Sequence, residues 1–499
     1  MKLDDSYFRL DLLDYSFFKI CGNKALLKPF MTFKVPGAHF SKAYKDKKWD
    51  GTVKLNKWNK LPVGLLPYFI MEGTRRGLKL EAFLNNNILT PKDLEDGLFT
   101  GPKWDASSFI ELIDHLPDKI KVRYYQIEAL NELLKTSRGL LVLPTGSGKS
   151  LSMYMLNHML RTRLKMGVLL VPRSDLVSQL EMNFLLFSGG NLHMVTSERY
   201  GRDIFSHLDP EGPNLIISTW QSWMSWRSDN IIPIVPDYFI GDEAHTFGKN
   251  NTPWEYMAEF RDVRYRYGLT ATNCEHLHER YALEGLFGPI VYEEKPEKLI
   301  EDGYLARPNI TRIYFEHSLP ARIPGAPKLN QRDLVRRPER MRAISNLVDE
   351  RLPQDKSLMI LTEAVEEEIN PLHYILTASL PDTLVLKLDR NSSAKERKEA
   401  IDLVNKPRQR TILLVTYGLF QMGIDIPELS YLMLASQSKS PIRVLQSIGR
   451  ALRPDSPCFV WDLIDYSDEK IDRISAVRLG IYKAAYGKML TIKDEFITL

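Results

Sequence analysis

The sequence predicts an α/β protein: two parallel-sheet lobes in tandem, preceded by a small α+β N-terminal domain. Three observations lead there. From about residue 119, apolar runs of strand length alternate with helical stretches, the signature of strand–helix–strand units. After a polar, Pro-rich interval near 306–345 the same alternation begins again. The first 110 residues lack it and show short strand-like pieces, turns and lysines instead. The expected domains are 1–110, 111–305 and 306–499.

Composition sets bounds on this reading. A chain of 499 residues, 44% hydrophobic and 26% charged, has the makeup of a globular protein with room for several cores. The net charge of +4 is too small to name a partner, so local charge has to do that. Cys21, Cys274 and Cys458 lie far apart and form no metal-spaced pair, which fits a reducing compartment. The N-terminus is acidic and lacks a signal-peptide core, and no apolar run reaches membrane-span length. A cytoplasmic location is expected.

In the N-terminal domain, Tyr7–Leu10 and Phe30–Val35 alternate like strands, and Pro36-Gly37 breaks the second. Eight lysines then fall between Lys34 and Lys60 against only Asp46 and Asp50, with Tyr44, Trp49 and Trp58 interleaved. Lysines neutralise phosphates and aromatic rings stack on bases, so Lys45, Lys47, Lys48 and Trp49 are candidates for nucleic-acid contact. The plainer reading is a solvated lysine face over core tryptophans. Asp50-Gly51 predicts a hairpin turn. Asn85-Asn86-Asn87, Pro91 and Gly101-Pro102 mark the way to a boundary near 105–115.

The first lobe is organised around Leu140–Ser150. An apolar strand runs into Pro144, Thr145, Gly146, Ser147 and Gly148, and Lys149 and Ser150 open a helix. Glycines let backbone N–H groups approach phosphate oxygens, and a helix N-terminus favours anions. Lys149 suits the β- and γ-phosphates and Ser150 suits Mg²⁺. Leu143 stands where the strict phosphate-loop pattern has its first glycine. Upstream, Arg123 and Gln126 precede a helix, and the Gln126 amide has the donor and acceptor to pair with adenine. Downstream, strands end in Arg173 and in Ser218-Thr219-Trp220-Gln221, at the edge where parallel sheets bind ligands, so Arg173 and Thr219 are candidate phosphate-backbone contacts. The strand Tyr238–Gly241 delivers Asp242, a metal ligand, and Glu243, a general base for the attacking water. His245, Thr270 and Thr272 are candidates for coupling that site to the rest of the lobe. For each polar strand end the bland alternative is a capping turn.

The second lobe shows strands at Ser357–Leu361, Thr383–Leu386 and Thr411–Val415. Thr416 ends the last of these and can meet a nucleic-acid phosphate. Gly423 and Asp425 follow, and Asp425 can reach a ribose hydroxyl. Gln446, Arg450 and Arg453 share one face of a helix, a presentation suited to a transferring γ-phosphoryl group.

The order of these motifs over about residues 120–455 resembles the superfamily 2 helicases. Trp49-Asp50-Gly51, Leu61–Leu65, Leu286–Pro289, Glu301-Asp302-Gly303 and Trp461–Asp465 look like the phage UvsW-type recombination helicases. The resemblance implies two RecA-like lobes using ATP and Mg²⁺, a DNA-binding N-terminal domain, and unwinding and remodelling of branched or forked duplex and single-stranded DNA. Fork regression and Holliday-junction branch migration in recombination, repair and replication are the implied activities. The implied protein is a monomer that works beside recombination or replication proteins. Two other classes stay open: an RNA-remodelling ATPase, and a non-catalytic nucleic-acid-binding protein with a vestigial ATPase.

Overall fold

The structure is a computed structural model that describes residues 6–102, 111–248, 252–272, 274, 276–317, 331–421, 426, 429–436, 440–452, 457–466 and 469–499. By packing, the chain divides into two compact units, residues 1–143 with 148–293, and 144–147 with 294–499. The division at Glu293/Glu294 precedes the 305/306 boundary expected from the sequence. The helix Pro296–Glu301 goes with the second unit, where Glu297 accepts from the Lys488 N–H at 2.8 Å.

The N-terminal domain has β1 (Tyr7–Leu12), β2 (Phe17–Cys21), β3 (Thr32–Lys34), β4 (Thr52–Lys54), β5 (Lys60–Pro62), β6 (Lys79–Leu84) and β7 (Asn87–Leu89). Five of them form a mixed sheet in the order β5-β2-β1-β6-β7. Its core is an apolar cluster around Phe8, Phe18, Phe30 and Phe69. β3 and β4 pair antiparallel as a separate ribbon, with Lys34 opposite Thr52. The predicted hairpin at Asp50-Gly51 is therefore absent. The ribbon is closed by the whole insertion 35–51, and Gly51, at φ 76°, re-enters β4 while Asp50 accepts from the Thr52 N–H and hydroxyl.

This domain is seated on the first lobe within the same unit. Arg266, fully buried, donates to the Ser16 hydroxyl at 2.7 Å and to the Phe260 carbonyl, and Arg138 donates to the Tyr15 carbonyl at 2.9 Å. Gly64 has no room for a Cβ, which would run into the Glu284 carbonyl.

The first lobe holds β8 (Arg138–Val142), β9 (Met166–Val171), β10 (Val195–Thr196), β11 (Asn214–Thr219), β12 (Tyr238–Gly241), β13 (Tyr265–Thr270) and β14 (Ile290–Glu293). The second holds β15 (Pro308–Glu316), β16 (Ser357–Thr362), β17 (Leu384–Leu388), β18 (Thr411–Thr416), β19 (Tyr431–Leu434), β20 (Cys458–Tyr466) and β21 (Thr491–Thr498). Every strand pair in both sheets is parallel. The orders are β10-β11-β9-β12-β13-β8-β14 and β17-β18-β16-β19-β20-β15-β21. Numbered within each lobe, both read 3-4-2-5-6-1-7.

Burial on both faces explains why β8, β11, β16 and β18 are near-continuous apolar runs. Gly167 is needed in β9 because the Tyr238 ring occupies the space of its missing Cβ, and Tyr238 in turn donates to buried Asn157 at 2.7 Å. The interval near 306–345, polar and Pro-rich in sequence, supplies β15 and the helix Pro338–Arg351. Pro308 takes the first position of its strand, where a missing N–H is tolerated. Buried Arg312 pairs with Asp494, which is why the strand does not read as apolar. Among the described residues no helix is long and apolar enough to cross a membrane.

Candidate nucleotide and nucleic-acid site

In a parallel sheet all strands end on the same edge, so the lobe 1 order assigns neighbours at once. β12, β13 and β8 lie side by side and bring together Asp242, Thr270 and the loop before Lys149. β11 and β9 lie on the other side of β12 and bring Thr219 and Arg173 to the same edge. The nucleotide candidates and the nucleic-acid candidates thus occupy adjoining halves of one edge.

The loop is set by backbone geometry. Leu143 is buried and its N–H donates to the Thr270 carbonyl at 2.9 Å, which ties the strand end to β13. A leucine fits where a glycine was expected because this position packs as strand. Gly146 and Gly148 have φ of 84° and 82°, a left-handed conformation that favours glycine. A Cβ on Gly148 would also strike the Gln126 amide nitrogen. The helix Lys149–Arg161 starts there, with Lys149 and Ser150 in its first turn. The Lys149 ammonium lies 3.4 Å from the Leu143 carbonyl.

Gln126 does something its sequence did not reveal. It is buried, its amide donates to the Gly148 carbonyl at 3.2 Å, and its own carbonyl accepts from the Arg123 N–H at 2.9 Å. It braces the start of the phosphate-loop helix from below. Arg123 donates to the Tyr125 hydroxyl at 2.9 Å.

Asp242 is buried, with its Oδ1 accepting from the Glu243 N–H at 2.8 Å. Burial, then the neighbouring Glu243 charge, push its carboxyl up to about 7, more than Lys149 pulls it down. A buried carboxylate raised in this way is a candidate for cation contact. Glu243 sits at φ 45°, strained for a non-glycine residue. His245 Nδ1 is 2.9 Å from the Thr270 hydroxyl and 3.4 Å from Glu243 Oε2, and the Thr270 hydroxyl donates to the Thr272 carbonyl at 2.9 Å. One chain of contacts therefore links the general-base candidate to the end of β13. Among the described residues no cluster of His, Cys, Asp and Glu holds a metal by protein ligands alone.

The nucleic-acid candidates are more modest locally. Arg173 pairs with Asp175 at 2.8 Å. Thr219 is buried and its hydroxyl caps the helix Trp220–Ser228 by accepting from the Ser222 N–H at 3.1 Å. In lobe 2, Thr416 does the same for the next helix, accepting from the Leu419 N–H at 3.2 Å. Each threonine ends the fourth strand of its lobe. Thr416 lines an open groove of about 560 Å³ with Glu363, Glu366, Asp389 and Arg390. Arg450 lies on the helix Pro441–Ala451, its guanidinium 5.3 Å from the Phe420 ring centre. Gln446 is on that helix, but its side chain lies outside the described residues, as do Gly423, Asp425 and Arg453.

In the N-terminal domain Lys45, Lys47 and Lys48 are exposed around the 35–51 insertion. Trp49 is half-buried and its indole N–H donates to the Thr52 carbonyl at 2.7 Å, so it holds the insertion closed. Trp58, not Trp49, is the outward tryptophan, 77% exposed.

Comparison with known proteins gives the frame. The family described as type III restriction enzyme, res subunit, matches residues 119–274, and the helicase conserved C-terminal domain matches residues 339–455. The ATP-dependent DNA helicase uvsW of Enterobacteria phage T4 is 23% identical over 494 residues, 94% of this chain and 90% of the phage protein. The DNA 3'-5' translocase XPB2 of Sulfurisphaera tokodaii is 25% identical over 390 residues, 68% of this chain and 82% of the archaeal one. An HsdR-subunit fragment of a type I restriction enzyme from Vibrio vulnificus shares the fold at 17% identity, with a TM-score of 0.56 over 90% of this chain and 84% of that one. With both helicase domains in order behind a sheet domain of its own, the chain belongs to the superfamily 2 helicases, built on two RecA-like lobes.

Proposed function

We propose that this helicase is an ATP-driven translocase that remodels branched DNA, by fork regression and Holliday-junction branch migration, in recombination, repair and replication. One observation carries the reading. The same sheet occurs twice, each copy ending its fourth strand in a helix-capping threonine, but among the described residues only the first copy carries a phosphate loop and an acidic pair. Two grips and one nucleotide site are the parts of a stepping motor.

In this reading the glycine-shaped loop and Lys149 receive the phosphates of ATP. Ser150 and Asp242 would hold Mg²⁺, which supplies charge neutralisation at the phosphates. Glu243 takes the proton from the attacking water, and His245 with Thr270 and Thr272 relays the state of the site along the strand ends. Gln446, Arg450 and Arg453 act on the transferring γ-phosphoryl group, where guanidinium charge stabilises the transition state. Arg173 and Thr219 grip the strand on one lobe and Thr416 on the other. The groove that Thr416 lines also carries Glu363, Glu366, Glu367 and Asp389, whose charge repels phosphate. Gly423 and Asp425 serve the nucleotide side of the second lobe. The lysine-ringed N-terminal domain holds duplex near the branch, and the protein acts as a cytoplasmic monomer beside recombination or replication proteins.

The test is phosphate release and strand exchange on single strands, forks, four-way junctions and RNA. Forks and junctions should stimulate ATP turnover above blunt duplex, and labelled junctions should migrate only with hydrolysable ATP. Stimulation by RNA above any DNA, or turnover indifferent to nucleic acid, overturns the proposal.

A further inference from the structure

The turn Lys57–Asn59 joins β4 to β5 and is built at an energetic disadvantage. Trp58 has φ 51° and ψ 34°, and Asn59 has φ 60°. Asparagine tolerates this left-handed region; a bulky tryptophan rarely occupies it, and such strain persists where the surroundings impose it, often at functional positions. Its consequence here is to stand the indole outward.

Trp58 touches the body of the protein by an edge. Its ring centre is 5.8 Å from that of Trp254 at 83°, a T-shaped contact. Trp254, buried in the helix Thr252–Glu259, stacks in turn on Phe17 at 5.6 Å and 10°. The buried pair is a rigid footing shared by the N-terminal domain and the first lobe. Cations surround it. Lys57 Nζ lies 5.6 Å from the Trp254 ring centre and Lys60 Nζ 5.0 Å from that of Phe17. Lys19 faces Lys60 across the β2–β5 register, and Lys54, exposed, ends the strand that precedes the turn. The acidic neighbour is Glu255, which faces Lys57.

An exposed aromatic face on a fixed footing, ringed by lysines, has the chemistry of a single-strand binding platform: π-stacking for a base and cations for the flanking phosphates. Paired bases inside a duplex present no free face, so the occupant has to be unpaired. We propose that Trp58 stacks an unpaired nucleobase of single-stranded DNA at the branch point, so that the seam between N-terminal domain and first lobe senses where the duplex opens. This rests on the branched-DNA reading above and adds to it the residue that meets the opened strand.

The experiment uses the full chain and a fork carrying a single 2-aminopurine in its unpaired arm, moved base by base from the branch. Wild type should quench the probe at one position. Trp58→Ala should lose that quenching and weaken fork binding roughly 5- to 100-fold, with Trp58→Phe retaining most of both. Blunt-duplex binding should change by less than about twofold, since its bases are not free to stack. Trp58→Gly should lose fork affinity as Trp58→Ala does while melting no lower than it, because glycine accepts the left-handed turn. Unchanged fork binding in Trp58→Ala overturns the assignment. So does an equal loss on fork and blunt duplex with a lowered melting temperature, which would make Trp58 a clamp between domains. Wild type that binds no DNA would overturn the branched-DNA reading itself, and that result is seen before any variant is made.

Discussion

The two lobes share one strand order and differ in what stands at the ends of the strands. In the first, strand one leads into a glycine-shaped phosphate loop and strand five ends in Asp242 and Glu243. In the second, strand one runs to His317 and strand six carries Asp465. These two side chains are sealed from solvent, with His317 Nε2 at 2.9 Å and Arg340 Nε at 2.6 Å from the same carboxylate. Burial raises an acid in both lobes. Asp242 stays raised because Lys149 does not offset burial and Glu243. Asp465 ends up below its ordinary value because Arg340 and His317 outweigh its burial. The same scaffold holds an unbalanced charge in one copy and a balanced one in the other.

The strongest way to break this contrast is to ask whether the second lobe contributes chemistry after all. Arg450→Ala should lower kcat about 10³-fold or more, with little change in ATP binding, if the arginine stabilises charge only in the transition state. A variant that loses ATP affinity instead makes Arg450 a ground-state contact. Next in size is Glu243→Gln. It should keep ATP binding and lower DNA-stimulated turnover about 10²- to 10⁴-fold, as expected on removing a general base. Undiminished turnover would move the base elsewhere and leave the acidic pair with a metal-binding role alone.

The strand and turn around these candidate residues were legible because each motif is local. Leu140–Ser150 and Tyr238–His245 carry strand, turn and candidate side chains within a dozen residues, and local backbone preference reports them. What escaped was long-range. Nothing near His317 or Arg340 announces Asp465, more than a hundred residues away. β15 was missed for the same reason, since Arg312 breaks its apolar pattern and is made good only by Asp494. The contact of Gln126 with the Gly148 carbonyl could not be read from the sequence, because it is set by tertiary packing. The duplicated strand order was invisible too, since spacing along the chain does not encode which strands become neighbours. Trp49 and Trp58 could not be told apart by sequence, because burial of one and a left-handed turn at the other decide their roles.

The balanced site gives the third test. Asp465→Asn leaves Arg340 buried without its counter-charge and should destabilise the second lobe by about 3–5 kcal/mol. The folded carboxyl titrates below its unfolded value, so its contribution is present above the unfolded pKa, about 3.9, and disappears as pH falls through the lower folded value. Hydrogen exchange in β20 should therefore separate variant from wild type at pH 7 and cease to separate them in strong acid. A gap that persists in acid means the loss comes from packing and not from the ion pair.

The smallest effect tests the part of the two lobes that is alike. Thr219→Val and Thr416→Val each remove a hydroxyl that caps the following helix, so each should cost its own lobe about 1 kcal/mol. If both hydroxyls also face the sugar-phosphate chain, each variant should weaken single-strand binding a few-fold, uniformly across sequences. The sites sit on separate sheets with no shared partner among the described residues, so the double variant should show the product of the two losses. Equal, multiplicative losses would make the threonines two grips on one strand. A loss from Thr416 alone would leave one grip, with Thr219 reduced to a helix cap and the lobe 1 contact shifted to Arg173.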